Sequence, residues 1–582
     1  MTDAGLASLL PLTVAIPITG AVAAPLLGRV SKRLPLVVSV VAMTGTAAVL
    51  GLLAPRVYGG RVLTHFMGHW GPFDGQPLGI AFGADPFGLT YALVTAVLGA
   101  LLLLYTLSEL GGLGKRELGG YACLFQLLLA ALIGTALTAD LFNMFVWFEV
   151  AALSSYGLTG FFLERPLALE AAFKVLVLTT LASFAVFLGA ALVYSGHGAL
   201  NLGHIHTAVG DGLRTADLVA LGLLVTGFAT KAGLVPFHGW LPDAHTAAPG
   251  PVSALFSGLM VNLGIVAIAR LTLQVYAGHG RPVLGLLTVL GLVSAVGGAL
   301  LALAQDDLKR LLAYDTVSQM GVLAVGVGTA SPVGLAGTTY HLLSHALFKA
   351  LLFLCAGAIV HSTGLTKLSE MGGLARRRPV VAAAFVVAAL SISGVPPMNG
   401  YVSLGLVHDA LRSTHPVVFA TMLLAQVITI AALARAAYLA FFRRRPEEYG
   451  DLARLHPGML TAFGTLAAGC VGFGLVPGFM LRHVAAPAAA SLTDGATYSR
   501  AVLAGGARLA VPRIPFDYLA PAELLTVVGT VLAGLALAWW YLRHSEPRVV
   551  RGLRALHNGS VNDYAAYATL GAVVTVTTVL VG

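Results

Sequence analysis

Lys231, His238 and Asp243 fall within one short stretch, "TKAGLVPFHGWLPDAH" (230–245), in the middle of a long apolar run. Further on, "YHLLSHALFKALLFLCAG" (340–357) places His341, His345 and Lys349 four positions apart, which lines them along one helix face. Imidazole titrates near physiological pH. Desolvation raises a carboxylate's pKa and lowers a lysine's, and a neighbouring opposite charge does the reverse. Side chains of these types in a row can pass protons from one to the next. The two histidines also have the spacing of a zinc pair. The glutamate of an HExxH motif and an evident third ligand are missing, however, so no metal is expected.

Glu149, in "DLFNMFVWFEVAALSSYGL" (140–158), is the carboxylate set deep in an apolar segment of the first half. A charge at bilayer depth costs a few kcal/mol on insertion scales, so it calls for a partner, water or a function. One reading is an ion pair with Lys174 or Lys231 that holds helices together; the other is a proton site. The surroundings of Lys231 favour the second. Gly233, Pro236, Gly239 and Pro242 cannot sustain a continuous helix, because each proline removes a backbone donor and clashes with the preceding turn. Broken helices at membrane depth occur where protein or a water-filled cavity surrounds them, and transporters use them to build ion sites. "SISGVPPMNGYVSLGLVHDAL" (391–411) repeats the break at Pro396 and Pro397. His408 and Asp409 follow it, either at an exit from the membrane interior or at the membrane surface.

The elements that carry these residues are membrane spans. Of 582 residues 57% are hydrophobic and 10% charged, against roughly 25% charged in soluble domains. Apolar runs of about 20 residues, each long enough to cross the hydrocarbon core, recur along the whole chain. The reading is an all-α polytopic membrane protein with about sixteen spans, fourteen at the fewest. They run from 7–27 to 562–581 and include 140–163, 216–235, 249–269, 309–328, 333–360 and 379–410. The first apolar run lacks a basic n-region and a clear cleavage site, so it reads as a span and not a signal peptide.

Cys123, Cys355 and Cys470 are isolated, and no CxxC or CxxCH spacing occurs, so no disulfide framework, cluster or haem is expected. The formal charge of +9 reads as loop arginines that set topology, and a nucleic-acid partner is not expected. With the N-terminus outside, cytoplasmic loops collect 20 of the 34 basic residues, Lys309 among them, and opposite loops 10, Arg270 among them. This bias favours the N-terminus outside a plasma membrane. The remaining four, Lys174, Lys231, Lys349 and Arg435, lie within spans.

"TKAGLVPFHGWLPDAHTAAPGPVSALFSGLM", "HLLSHALFKALLFL" and "SGVPPMNGYVS" together resemble the signature blocks of antiporter-like proton-translocating subunits. That family is shared by Mrp-type Na⁺/H⁺ antiporters, respiratory complex I and energy-converting membrane hydrogenases, and the resemblance covers roughly residues 85–440. The segment around Glu149 looks most like the D-type Mrp subunit, whereas "RALHNGSVNDYAAY" looks more like A-type or hydrogenase subunits. The resemblance implies two inverted five-helix bundles, each with a broken helix, joined by a polar axis at mid-membrane. On that pattern residues 1–110 and 446–582 are flanking helices, with the halves at 111–275 and 276–445.

By the same resemblance Glu149 and Lys231 match the family's Glu/Lys pair, and His341, His345 and Lys349 match its connecting relay. Lys174, His238, Asp243, Pro236 and Pro397 support them. Two positions depart. Asn262 stands where many members carry a lysine, and Leu404 where the second broken helix usually carries a lysine or glutamate. Leucine cannot titrate, so the terminal proton site is moved, with His408 as the candidate, or absent. The implied function is proton conduction within a multisubunit complex in the lipid bilayer. Its partners are other membrane subunits, its ions H⁺ and, in an Mrp setting, Na⁺, and it carries no cofactor of its own. A redox-driven module of complex I or a hydrogenase, a non-pumping scaffold, and a component of an inorganic-carbon uptake complex are the alternatives.

Overall fold

In hydrocarbon only helices close nearly all their backbone hydrogen bonds within themselves, and the chain obeys this almost throughout. The computed structural model describes residues 2–73, 76–109, 112–444, 449, 452, 454–544, 547–557 and 559–581. Among these, fifteen helices are long and apolar enough to cross a membrane. The sixteenth crossing, expected over 379–410, is present as two shorter helices. Strands among the described residues form two small antiparallel ribbons in the loop after the second span, Leu63–Phe66 with Ala81–Ala84 and Pro72–Phe73 with Gln76–Pro77.

The main helices begin with α1 (Leu12–Val30), α2 (Leu34–Tyr58), α3 (Pro86–Glu109), α4 (Lys115–Leu137), α5 (Leu141–Thr159) and α6 (Pro166–His197). There follow α7 (Thr215–Ala232), α8 (Leu241–Ala247), α9 (Gly250–Val275), α10 (Arg281–Ala304), α11 (Leu308–Gly328) and α12 (Pro332–Thr363). The last are α13 (Pro379–Ile392), α14 (Asn399–Arg412), α15 (Pro416–Phe442), α16 (Pro457–Leu475), α17 (Pro521–Arg543), α18 (Arg548–Leu556) and α19 (Val561–Val581).

One pattern occurs twice, in α4–α9 and in α10–α15. The second helix of each set is capped by an aspartate: Asp140 accepts from the Asn143 amide at 2.7 Å and Asp307 from the Arg310 amide at 2.9 Å. The third, α6 or α12, is 32 residues long and ends at a left-handed glycine, Gly198 or Gly364. The fourth is broken, into α7 and α8 or into α13 and α14. The fifth ends in a π-helical turn, Arg270–Val275 in α9 and Tyr438–Phe442 in α15. Backbone bridges Asp140–Asn201 and Asp307–Lys367 tie corresponding loops in the two sets.

The middle of the molecule is the most enclosed. α9 is packed along its length and α11 and α12 nearly so, whereas α17 and α19 expose most of theirs. α10 and α11 make the most extensive contact between two helices. Their seam is built from small residues, the means by which membrane helices approach closely. A Cβ on Gly321 would stand 2.4 Å from the Ala295 amide nitrogen and from the Gly291 carbonyl oxygen, both backbone atoms that cannot swing away.

Arg270 corrects the expected topology count, because it is not a loop residue. α9 runs on through its π-turn to Val275, five residues past the start of that turn at Arg270, and carries the guanidinium into the interior, fully buried. There Nη2 meets Asp85 Oδ1 at 2.6 Å and the Ala136 carbonyl at 3.0 Å, and Nη1 donates to Tyr498 Oη at 2.8 Å. Gln274 and Ser491 also donate to Asp85 Oδ2. The pair clamps α3, α9 and the segment before α17 together. Lys309 likewise lies in the first turn of α11, buried, with Nζ on the Ala248 carbonyl at 2.8 Å.

The α10–α11 seam yields a direct test. Gly321→Leu should destabilise the protein by at least the roughly 1–3 kcal/mol typical of overpacking, read as a lower thermal midpoint in detergent. Gly297→Leu, on α10 with open space at its Cβ, should change it little. Equal midpoints for the two variants would refute the seam.

Candidate functional site

The two breaks share one construction. Gly233 and Gly394, each three residues before a proline, both take the left-handed conformation at φ +69°, which a side chain disfavours. Released backbone groups find partners on neighbouring helices, and side chains of the two broken halves bridge each gap. In the first break the Val235 amide donates to Ser294 Oγ of α10 at 2.9 Å, and Trp240 Nε1 donates to the Thr230 carbonyl at 2.8 Å. In the second, Gln426 Nε2 of α15 donates to the Ser393 carbonyl at 3.0 Å, and Ser391 Oγ donates to Asn399 Oδ1.

The first break places Lys231 in the last turn of α7, fully buried. Its ammonium lies 5.4 Å from the centre of the Phe148 ring, and Nζ has no hydrogen-bond partner. Glu149, beside Phe148 on α5, is half-buried and holds Oε1 in the interior without a partner. The two charges act on each other across a gap and not through a contact.

Lys174 does not join them. Its Nζ sits 2.8 Å from Asp243 Oδ2 and 2.7 Å from Glu170 Oε1, and Arg310 approaches Asp243 Oδ1 at 3.2 Å. These groups line an open pocket of about 780 Å³ together with Glu164, Arg165 and His557. A second pocket of about 360 Å³, holding Glu109 and Lys309, shares its Ala247 edge. His238, on the turn of the break, meets His557 with the two Nε2 atoms 2.6 Å apart, so one ring must donate and the other accept. His557, in the link from α18 to α19, is held below the usual histidine range by burial.

Beyond the break His245 is fully buried between Phe256 and Phe353, with ring centroids 6.0 and 5.0 Å away and both nitrogens unpartnered. Lys349 and Lys309 both act on it electrostatically. On α12 the expected row is present on one side: Lys349 Nζ lies 2.5 Å from Asp315 Oδ2 of α11 and donates to the Leu312 carbonyl at 2.9 Å. His345 follows, its nitrogens again unpartnered, with its ring centroid 6.5 Å from that of His341. His341 then lies 3.0 Å from both Gln319 Oε1 and Ser403 Oγ, the latter on α14. His408 is buried and not at the surface: Nδ1 lies 3.2 Å from Glu523 Oε1, and Glu523 Oε2 lies 2.5 Å from Arg412.

Polar atoms turned into the interior without protein partners recur along this row, at Glu149, Lys231, His245, Asp315 and His345. A dry site would penalise each by a kcal/mol or more, so the row is stable only where water reaches it. Asn262 donates to the Gly258 carbonyl at 2.8 Å and leaves Oδ1 unpartnered, so a polar group remains at that departure from the resemblance. Leu404 instead packs with Val322, Val407 and Met422.

Sequence reasoning missed Asp315, His245, Gln319 and Glu523. A lone aspartate in the apolar run "LLAYDTVSQMGVL" was the available signal for Asp315. Glu523, in the first turn of its helix, resembles any polar helix start.

The family described as NADH:quinone oxidoreductase/Mrp antiporter, TM, matches residues 138–429. The NADH-quinone oxidoreductase N-type subunit of Desulforudis audaxviator is 34% identical over 445 residues, 75% of this chain and 87% of that protein. The Na(+)/H(+) antiporter D-type subunit of Alkalihalophilus pseudofirmus is 32% identical over 425 residues, 71% of this chain and 84% of that protein. A chain in the structure of the Mrp complex from Dietzia sp. DQ12-45-1b superposes with a TM-score of 0.78 at 28% identity, covering 86% of this chain and all of that one.

The buried Lys349–Asp315 pair separates structure from chemistry. Asp315→Asn leaves the ammonium without its counter-charge, and an unfolding experiment should register a loss of about 3–5 kcal/mol. The double variant Asp315→Leu/Lys349→Met should recover most of that stability, and a double variant as unstable as the single would contradict the pairing.

Proposed function

The chain belongs to the NADH:quinone oxidoreductase/Mrp antiporter transmembrane family, and on that footing we propose that it conducts protons as one subunit of a multisubunit Na⁺/H⁺ antiporter of the Mrp type. The observation that carries the reading is the row from Glu149 and Lys231 through His245, Lys349 and His345 to His341 and His408, in which every group but the half-buried Glu149 is buried and Glu149, Lys231, His245 and His345 hold polar atoms without a protein partner.

The row can work by exchange of proton and charge. Loss of the proton from Lys349 leaves Asp315 uncompensated and draws a proton from the His345 side; its return does the reverse. Ring separations such as the 6.5 Å between His345 and His341 are spanned by one bridging water. Lys231 and Glu149 respond to each other in the same way, because each raises the cost of the other's neutral form. The open pocket around Asp243 and Lys174 is the entry from bulk water in this reading.

The halves at 111–275 and 276–445 follow the repeated five-helix pattern. An N-terminus outside a plasma membrane follows from the loop bias; with Arg270 and Lys309 withdrawn, one from each side, the excess stays near two to one. Na⁺ as the exchanged ion is supported by the antiporter named among the relatives. A second reading, the same path driven by a redox partner, is supported by the quinone-oxidoreductase relative.

Vesicles carrying the assembled complex provide the test. Glu149→Gln and Lys231→Ala should each abolish proton flux while the complex still copurifies. Normal flux in both, with assembly intact, would make the chain a scaffold. Flux driven by a Na⁺ gradient alone supports the antiporter, and flux that requires an electron donor supports the second reading.

A further inference from the structure

The row reaches the second break and meets a side chain that cannot carry a proton. His341 contacts Ser403, and the next residue, Leu404, is packed among apolar neighbours. One turn on, His408 turns to a carboxylate from elsewhere. Glu523 stands in the first turn of α17, outside the residues the family matches, and is 3% exposed. Its two oxygens are divided between His408 at 3.2 Å and Arg412 at 2.5 Å. The segment leading into α17 is seated on the same face of α14. Tyr401 Oη donates to the Tyr518 carbonyl at 2.7 Å, and a Cβ on Gly405 would stand 3.1 Å from the Phe516 ring and 3.6 Å from Glu523 Oε1.

A small cavity borders the leucine. Gln319, which contacts His341, lines it together with His408, Gln426 and Thr429. Its volume of about 10 Å³ is close to the minimum for one water. Gln426 Oε1 and Thr429 Oγ1 have no protein partner. Gln319 and His408 therefore face one cavity beside Leu404, with Val322, Ile392, Met422 and Ala425 as its apolar wall, and His408 in turn contacts the Glu523 carboxylate. Arg412, a third exposed, connects that carboxylate to the outside.

We propose that Glu523, supplied by a C-terminal helix, is the terminal proton carrier of this chain and acts with His408 in the place that Leu404 leaves untitratable. The step is a proton transfer: the His408 N–H bond breaks, the proton joins Glu523 Oε1, and the imidazole returns to neutral. Arg412 holds the carboxylate when the proton has left. This inference rests on the proton-conducting reading above.

The test uses membrane vesicles with the whole complex and measures proton flux and copurification together. Glu523→Gln should lower flux roughly 100-fold or more, in the range for loss of a proton-transfer group, with the complex intact. Leu404→Lys in that background should restore most of the flux, because it returns a titratable group to the bypassed position. Restoration distinguishes a carrier from a carboxylate that merely pins α17, since a lysine at 404 does not replace the Arg412 contact. Unchanged flux in Glu523→Gln, or loss without restoration, overturns the proposal. Should Glu523→Gln fail to assemble, His408→Gln with and without Leu404→Lys reads the same step, and full flux in His408→Gln overturns it equally. Normal flux in Lys231→Ala would instead remove the proton-conducting reading itself.

Discussion

Every unusual feature of this fold follows from one constraint: an unpaired peptide group or charge in the membrane interior has no water to fall back on. Two helices are nevertheless broken at depth. The breaks persist because side chains from adjacent helices supply what the helix gave up, Ser294 to the Val235 amide and Gln426 to the Ser393 carbonyl. Such partners have to come from helices that are already in place, here α10 and α15, so each break is packed against other helices and not left to the lipid. The helices with the least covered surface, α17 and α19, are unbroken.

The same constraint sorts the buried charges into two kinds. Asp85 and Arg270 are densely bonded: the guanidinium reaches a carboxylate, a phenol and a carbonyl, and the carboxylate also takes Gln274 and Ser491. A pair held by that many hydrogen bonds is fixed in place, so it serves as a clamp. Three groups of the row are the opposite. Lys231 has an aromatic face and a distant carboxylate, and His245 and His345 have unpartnered rings. Groups held so loosely can change charge at small cost once water reaches them, which is the property a relay requires. Stability and transport thus use the same residue types under opposite degrees of hydrogen bonding.

How far the sequence reveals this depends on the range of each interaction. Span positions, both breaks and the face shared by His341, His345 and Lys349 follow from local patterns, because helix periodicity and proline chemistry act within a few residues. Partners do not. Lys349 lies 34 positions from Asp315, and Arg270 lies 185 from Asp85, separations at which no spacing rule operates. Lys174 illustrates the consequence: Glu170, four positions before it, is signalled by helix periodicity, whereas Asp243, 69 positions away, is not. Helix ends are also misjudged where a π-turn extends them, which is how Arg270 is taken for a loop residue.

The C-terminal helices show why the two breaks should be considered together. α17 packs on α15 and brings Glu523 to the second break, while α19 packs on α7 at the first. There Tyr564 covers Gly239, whose Cβ would stand 2.5 Å from the ring, and Gly571 admits Pro236 and Phe237 at similarly short range. His557, in the link between α18 and α19, meets His238. A single segment of chain therefore closes both interrupted helices from outside and gives each a titratable side chain that the broken helix alone lacks. Helices that only shielded the core would need apolar surface at these contacts. The histidine and the carboxylate are expensive substitutes for it, and their burial is best explained by the polar interior they complete.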